Sequence, residues 1–356
     1  MTLARAAGIV ADIMAISSKS PLPSAAKADD QIALLQWYGG QKRDLPWRQD
    51  RDPYRIWISE VMLQQTTVAA VVPYYTRFLK KFPSVDALAA APVEDVLQAW
   101  AGLGYYSRAR NLHKAAGALA GAGFPKSFSL LLEMPGFGPY TARAVASLAF
   151  GEKVGVLDGN VIRVLARRYG LALDWWRPSE RGRMQELADR LAQVERPDEW
   201  NQAMMELGAI VCSPARPACL LCPWNKSCLA FAQGTQASLP RQRPRREREI
   251  WSWRPVVRER EGRVALVRND YAPFLKGHWI WPGRAERLSR PPARFDYRAT
   301  VTHHDIFVEL DGDLAATKVS WVPRADLAKW VPASLVAKAI AIAEKRRADD
   351  PTGSAK

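Results

Sequence analysis

The stretch Met134-Pro-Gly-Phe-Gly-Pro-Tyr-Thr-Ala-Arg143 leaves this chain less freedom than any other segment. Pro135-Gly-Phe-Gly138 can only be a tight turn: two glycines supply unusual backbone angles, and Pro135 and Pro139 restrict what surrounds them. Apolar residues at helical spacing lead into it (Phe128, Leu131, Leu132) and away from it (Ala142, Val145, Leu148, Ala149). The segment reads as helix, hairpin, helix, with backbone N–H groups bare where the second helix starts. Such an end favours a phosphate, and Gly136 and Gly138 are its expected contacts with a nucleic-acid backbone. Downstream stands one carboxylate, Asp158, in Leu157-Asp-Gly-Asn-Val161. A phosphate grip beside a lone Asp points to chemistry on nucleic acid.

The charge agrees. A chain of 356 residues with a net charge of +15 and 14 tryptophans favours a polyanionic partner. Its length suits two or three domains, and 48% apolar residues suffice for real cores. No apolar run approaches the roughly 18 residues of a membrane span. Residues 1–28 are rich in Ala and Ser but interrupted by Asp12 and poor in Arg, so the expectation is a disordered extension and a cytoplasmic protein.

Between about 29 and 232 the pattern is all-α. Helices are expected from near Asp30, from Tyr54 to about Thr66, and over 68–81, 92–101, 107–120, 128–133, 140–150, 160–169, 180–193 and 198–212. Residues 233–249 hold Arg241-Gln-Arg-Pro-Arg-Arg-Glu-Arg248 and read as a basic linker, either a solvated connector or a strap along DNA. From 250 to 345 the texture is that of a small α+β domain. Trp253–Arg260 and Arg263–Arg268 form an expected hairpin about Glu261-Gly262, Ala299–Leu310 is a strand region with a turn at Asp311-Gly-Asp313, and a closing helix begins at Ser334. Residues 346–356 read as a disordered tail.

All four cysteines, Cys212, Cys219, Cys222 and Cys228, fall within 17 residues, spaced C-x6-C-x2-C-x5-C. Four thiolates this close suit a [4Fe–4S] cluster or a tetrahedral zinc. Zinc ribbons usually carry two separated C-x2-C knuckles, and there is one here, so the spacing favours the cluster.

Taken together, the cysteine spacing, the hairpin Leu132-Glu-Met-Pro-Gly-Phe-Gly138 and Asp158 resemble the endonuclease III superfamily of helix-hairpin-helix DNA glycosylases. Within it, Leu45-Pro-Trp-Arg48, Trp57-Ile-Ser-Glu-Val-Met-Leu-Gln-Gln-Thr66, Gly102-Leu-Gly-Tyr-Tyr106, Leu157–Val161 and Asn201-Gln-Ala-Met-Met-Glu-Leu-Gly208 resemble the MutY branch, the adenine DNA glycosylases. The resemblance covers roughly 31–230. More weakly, Gly277-His-Trp-Ile-Trp-Pro-Gly283 and the 299–310 region resemble that branch's Nudix-related C-terminal domain. The implied fold is a mainly α glycosylase part with an iron–sulfur cluster, followed by a small α+β Nudix-like domain.

The resemblance implies a division of labour. Glu60, on a helix among Trp57, Val61 and Leu63, protonates adenine at N7, its pKa raised by apolar surroundings. Asp158 stabilises the oxocarbenium ion at C1′, as a counter-ion or through a transient covalent adduct, and also suits an N-cap. Tyr140 and Asn160 assist it and position water. Bifunctional relatives carry a Schiff-base lysine where Tyr140 stands, so base excision without strand cleavage is expected. Leu45 and Trp47 sandwich the flipped base, Arg48 and Glu206 meet its edge, and Gln65 and Tyr105 wedge into the duplex. In the C-terminal domain the family reads the oxidised guanine with Phe-Ser-His, and this chain offers Val301-Thr302-His303, with His304 adjacent. The residues after Gly283 lack the glutamate-rich helix of a true Nudix hydrolase.

The expected protein is a monomeric adenine DNA glycosylase, bacterial and nucleoid-associated, acting on double-stranded DNA holding A:8-oxoguanine or A:G mispairs. Its alternatives are an endonuclease III-like pyrimidine glycosylase/lyase and a non-catalytic iron–sulfur DNA-binding protein.

Overall fold

The structure is a computed structural model that describes residues 28–244, 247–310, 318–331 and 334–349. The expected extension over residues 1–27, the turn at 311–313, Arg245 and the last seven residues of the tail lie outside the described residues. The chain forms two units, Met1–Arg243 and Pro244–Lys356.

The first unit is helical: α1 Ala28–Gln41, α2 Pro53–Leu63, α3 Val68–Lys81, α4 Val85–Ala90, α5 Val93–Trp100, α6 Tyr106–Leu119, α7 Phe128–Glu133, α8 Pro139–Phe150, α9 Gly159–Arg168, α10 Pro178–Leu191, α11 Pro197–Glu206 and α12 Leu229–Gln233. Several begin on side-chain caps. Asp52 accepts the Tyr54 and Arg55 amides ahead of α2, Thr67 caps α3, Ser84 caps α4, Ser127 caps α7 and Asp158 caps α9. Two cores form. Trp57, Phe78, Trp100, Leu112 and Val145 centre one, and Leu34, Leu165, Leu187 and Trp200 centre the other. The cleft described below is bordered by α2 and α8 from the first core and by α9 and α11 from the second.

The hairpin is anchored by Phe137, which is buried and stacks on Trp57 of α2 at 5.2 Å with an interplanar angle of 11°. Gly136 has φ +80° and sits against the Asn111 backbone. Gly138 corrects the expectation: its φ of −87° is ordinary, and it is the N-cap of α8 with no side-chain cap bond. Its contribution is to leave the first amides of α8 open.

Three further differences have physical causes. Helix α4 has six residues between Pro83 and Pro92, too short to show a period. The expected helix over 198–212 ends at Glu206 and continues as a π-helical turn, Leu207–Val211, into Cys212. The first part of the linker is also docked. Leu239 is buried, its carbonyl accepts from Arg167 Nε at 2.9 Å, and the Arg241 carbonyl accepts from Trp175 Nε1 at 2.9 Å.

The second unit has strands β1 Glu249–Pro255, β2 Glu259–Arg260, β3 Arg263–Arg268, β4 Trp279–Ile280, β5 Gly283–Leu288, β6 Tyr297–Val301, β7 His304–Val308 and β8 Ser320–Pro323. Helices α13 Leu327–Trp330 and α14 Ser334–Asp349 complete it, so the closing helix runs four residues beyond the expected 345. One sheet has the order β5-β1-β7-β6; the other has β2-β3-β4 with β8 on β3. Trp253, Trp281, Leu266, Ile306, Val308 and Val336 share one core. The turn at Glu261-Gly262 is real, but only β2 pairs with β3 across it, whereas β1 pairs antiparallel with β5 and parallel with β7. The 299–310 region is not one strand but the hairpin β6–β7. Residues 283–288 form strand β5 rather than a helix.

Candidate active site

A cleft of about 1120 Å³ in the helical unit is lined by Leu45, Trp47, Arg48, Glu60, Gln65, Tyr140, Asp158, Asn160 and Glu206. Nine residues singled out in sequence, spread over 162 positions, thus meet at one place. Tyr105 stands outside that lining and is 60% exposed.

Glu60 is carried into apolar surroundings by its own helix, since α2 is buried from Ile56 through Met62. Burial pushes its carboxyl up to about 7 despite a hydrogen bond that favours the anion. That bond comes from Tyr140 Oη to Glu60 Oε2 at 2.6 Å. Tyr140 is buried beside Glu60 and Asp158, so its hydroxyl stays protonated well above the usual phenol range.

Asp158 does cap α9: its Oδ1 accepts the Val161 amide at 2.7 Å. Its Oδ2 accepts Asn160 Nδ2 at 2.8 Å. Burial raises this carboxyl, opposed by those donors, by the Asn160 amide and by Arg163. The asymmetry is chemically useful. Glu60 has one donor, Tyr140, and its pKa is raised by burial and further by the Asp158 charge, whereas Asp158 is held by donors from Val161 and Asn160.

Three positions were not singled out in sequence. Arg43 binds Glu206 through its backbone amide at 3.0 Å, Nε at 2.7 Å and Nη2 at 2.7 Å, while Arg48 Nη2 donates to the same carboxylate at 2.8 Å. Glu206 is fully buried. Burial pushes it up, but the two arginines outweigh that and hold it at about 2. Arg163 Nη2 donates to Asn160 Oδ1 at 2.8 Å and to the Gly208 carbonyl at 2.6 Å, turning the Asn160 amide nitrogen towards Asp158. The signal was available, since Arg163 lies one helical turn after Asn160. Gly208 passes so close that a Cβ there would lie 2.5 Å from Asn160 Cβ. Leu45 and Trp47 are largely core residues whose edges reach the cleft, with Trp47 edge-on to Tyr75 at 5.3 Å.

The four cysteines follow the π-helical turn. Arg163 Nε donates to the Cys212 carbonyl at 2.6 Å, Arg167 Nη1 to Cys212 Sγ at 3.4 Å, and Gln236 Nε2 to Cys219 Sγ at 3.9 Å. All four are half-buried, and burial, then the charges of the other three, pushes the Cys222 thiol up to about 12. N–H donors directed at sulfur suit thiolates that carry a shared negative charge.

Residues 58–193 match the model of the HhH-GPD superfamily of base excision DNA repair proteins. The adenine DNA glycosylase of Buchnera aphidicola subsp. Schizaphis graminum is 34% identical over 256 residues, covering 70% of this chain and 73% of that protein. The chain belongs to the adenine DNA glycosylase family. The Mus musculus adenine DNA glycosylase is 39% identical over 313 residues, 82% of this chain and 57% of the mouse protein. The chain spans between 40% and 57% of the length of its mammalian relatives. A solved structure of a thermostable thymine-DNA glycosylase superposes with a TM-score of 0.51 at 30% identity, covering 57% of this chain and 95% of that one.

In the second unit of this adenine DNA glycosylase family member, Thr302 and His303 form the tight turn between β6 and β7, across which Val301 pairs with His304. Thr302 has φ +55° and is exposed, and its hydroxyl lies 3.3 Å from His303 Nδ1. His304 points inward and is buried, next to Trp251 and Phe274. At the tip of this turn Thr302 is exposed and His303 is half-buried. Among the described residues no helix is long and apolar enough to cross a membrane.

Proposed function

We propose that the protein is a monofunctional adenine DNA glycosylase of base excision repair, hydrolysing the N-glycosidic bond of adenine mispaired with 8-oxoguanine or guanine. The observation that carries this reading is a buried Glu60 in one cleft with Asp158: burial holds the Glu60 carboxyl up at about 7, while Asp158 has more donors.

Glu60 gives its proton to adenine N7. The C1′–N9 bond then breaks with its electron pair on the base, which leaves neutral. Positive charge on C1′ and the ring oxygen is stabilised by the Asp158 carboxylate. Asn160 and Tyr140 orient the water, whose oxygen bonds to C1′ while its proton returns to Glu60. Tyr140 offers no amine at the place where a Schiff base would form, so the backbone stays intact.

Leu45 and Trp47 hold the flipped base, and Arg48 and Glu206 take its edge. Glu206 stays an anion at any working pH. It accepts from adenine's exocyclic amine and repels the carbonyl oxygen that guanine carries in the same place. Gln65 and Tyr105 wedge the duplex, Gly136 and Gly138 grip the backbone through bare amides, and Thr302 and His303 read the oxidised guanine from a Nudix-like domain.

The four cysteines hold a [4Fe–4S] cluster, which orders the adjoining loop with Arg216 and Lys226 and takes no part at the sugar. The protein works as a monomer on double-stranded DNA, in the cytoplasm.

The test is incubation with a duplex holding adenine opposite 8-oxoguanine, followed by alkali. A new alkali-sensitive site at that adenine, absent before alkali, is expected. No such site, or an equal one in a duplex holding thymine glycol, would overturn the reading.

A further inference from the structure

Two exposed residues, Gln65 and Tyr105, hold left-handed backbones at φ +59° and +50° although neither is glycine. They stand on separate loops, one after α2 and one before α6. A strained conformation on an exposed loop persists only when neighbouring structure enforces it. One side chain does so for both.

Arg108, in the first turn of α6, sends its guanidinium between the two loops. Nη1 donates to the Val61 carbonyl at 2.9 Å, to the Met62 carbonyl at 3.1 Å and to the Gln64 carbonyl. Nη2 donates to Thr66 Oγ1 at 3.4 Å and to the carbonyls of Leu103 at 3.3 Å and Gly104 at 3.4 Å. Gln65 is thus bracketed on both sides, and Tyr105 is held by the two residues before it. The guanidinium also lies 5.3 Å from the Tyr105 ring centroid and 5.5 Å from that of Trp100. These partners are neutral oxygens and rings rather than a carboxylate, so the cation is spent on backbone geometry. A lysine keeps the charge but cannot span two loops with one planar fork. The Val61 and Met62 carbonyls belong to the last turn of α2 and directly follow Glu60, so the same fork ties the loops to the helix that carries the acid.

We propose that Arg108 is the positioning residue that holds Gln65 and Tyr105 as one rigid wedge, so that both enter the duplex together when the base is expelled. This rests on the base-flipping reading above. Flipping requires the wedge to occupy the vacated stack, and a pre-ordered pair avoids the entropy of ordering two loops at that moment.

The experiment uses the full chain with Arg108→Lys and Arg108→Met. Single-turnover excision is measured on two substrates: adenine opposite 8-oxoguanine in a fully paired duplex, and the same mispair flanked by mismatches that already open the stack. 2-Aminopurine next to the mispair reports unstacking on binding. Both variants are expected to lose at least about tenfold on the paired duplex, to lose the fluorescence rise, and to stay within about twofold of the native protein on the opened substrate. Equal losses on both substrates, which a merely structural role or a misfolded variant would give, would overturn the proposal, as would an undiminished fluorescence rise. If the native protein excises adenine from neither substrate, the adenine reading fails instead, and the fluorescence rise on binding still decides whether Arg108 sets the wedge.

Discussion

Tyr140 Oη donates to Glu60 Oε2 at 2.6 Å, so the residue at the place of a lyase lysine is bonded to the proposed acid. This bond stabilises the carboxylate form and thus opposes the effect of burial. In Tyr140→Phe the Glu60 pKa is expected to rise further and the alkaline limb of the excision profile to move to higher pH. The plateau is expected to fall about 10- to 100-fold, the loss of one hydrogen bond to an ionisable group. A limb displaced towards lower pH would contradict this role. Borohydride should trap no stable adduct with the native protein, and strong trapping would remove the monofunctional assignment.

Burying Glu60 costs stability, with a sign that can be checked. Its folded pKa of about 7 lies above the 4.5 of an ordinary glutamate. Below pH 4.5 both states hold the proton and there is no penalty. Between 4.5 and 7 the unfolded chain ionises first, so the native state loses stability as pH rises, by an amount on the order of 3 kcal/mol above pH 7. Glu60→Gln is therefore expected to melt several degrees higher than the native protein at pH 8 and nearly equally at pH 4. Equal melting at pH 8 would mean that Glu60 is not the strained carboxyl described.

Gly208 has no room for a side chain, because its Cβ would lie 2.5 Å from Asn160 Cβ and 2.9 Å from the Asn160 carbonyl oxygen. Gly208→Ala should displace Asn160 from Asp158, destabilise the protein by about 1–3 kcal/mol and slow excision more than it weakens DNA binding. Gly159→Ala, next to the same Asp but with open space around it, is the matched control and should leave the melting temperature within a degree or two. Wild-type excision by Gly208→Ala would show that the placement of Asn160 does not matter.

Much of this arrangement was legible in sequence, for identifiable reasons. Helices such as α3 and α6 declare themselves because one face is apolar at a helical period, and Asp52, Thr67 and Asp158 announce starts because their side chains satisfy amides that helices leave open. The strand β1 was read into a local hairpin because a sequence shows neighbours along the chain, whereas its partners, β5 and β7, lie tens of residues away. Arg43 and Arg108 escaped for a related reason. Their partners, Glu206 in one case and the carbonyls between Val61 and Gln64 in the other, carry no mark that points back to an arginine. Gly138 misled because a glycine signals permission for an unusual angle, not its use.

The cysteine set has its own test. Purified anaerobically, the protein should carry about four iron and four sulfide per chain, the stoichiometry of one cubane. Cys219→Ser should lower both and weaken DNA binding. One zinc per chain with no sulfide would replace the cluster by a mononuclear site.

The central claim is that burial arms Glu60 with the proton that expels adenine. It is tested most directly by the pH dependence of single-turnover excision from a duplex holding adenine opposite 8-oxoguanine. The acid is present below its pKa and lost above it. The rate should therefore fall close to tenfold per unit above about pH 7, while Glu60→Gln binds the duplex but excises at a rate at least about a hundredfold lower, without that limb. A native rate that stays level from pH 6 to 9, or full excision by Glu60→Gln, would contradict the account.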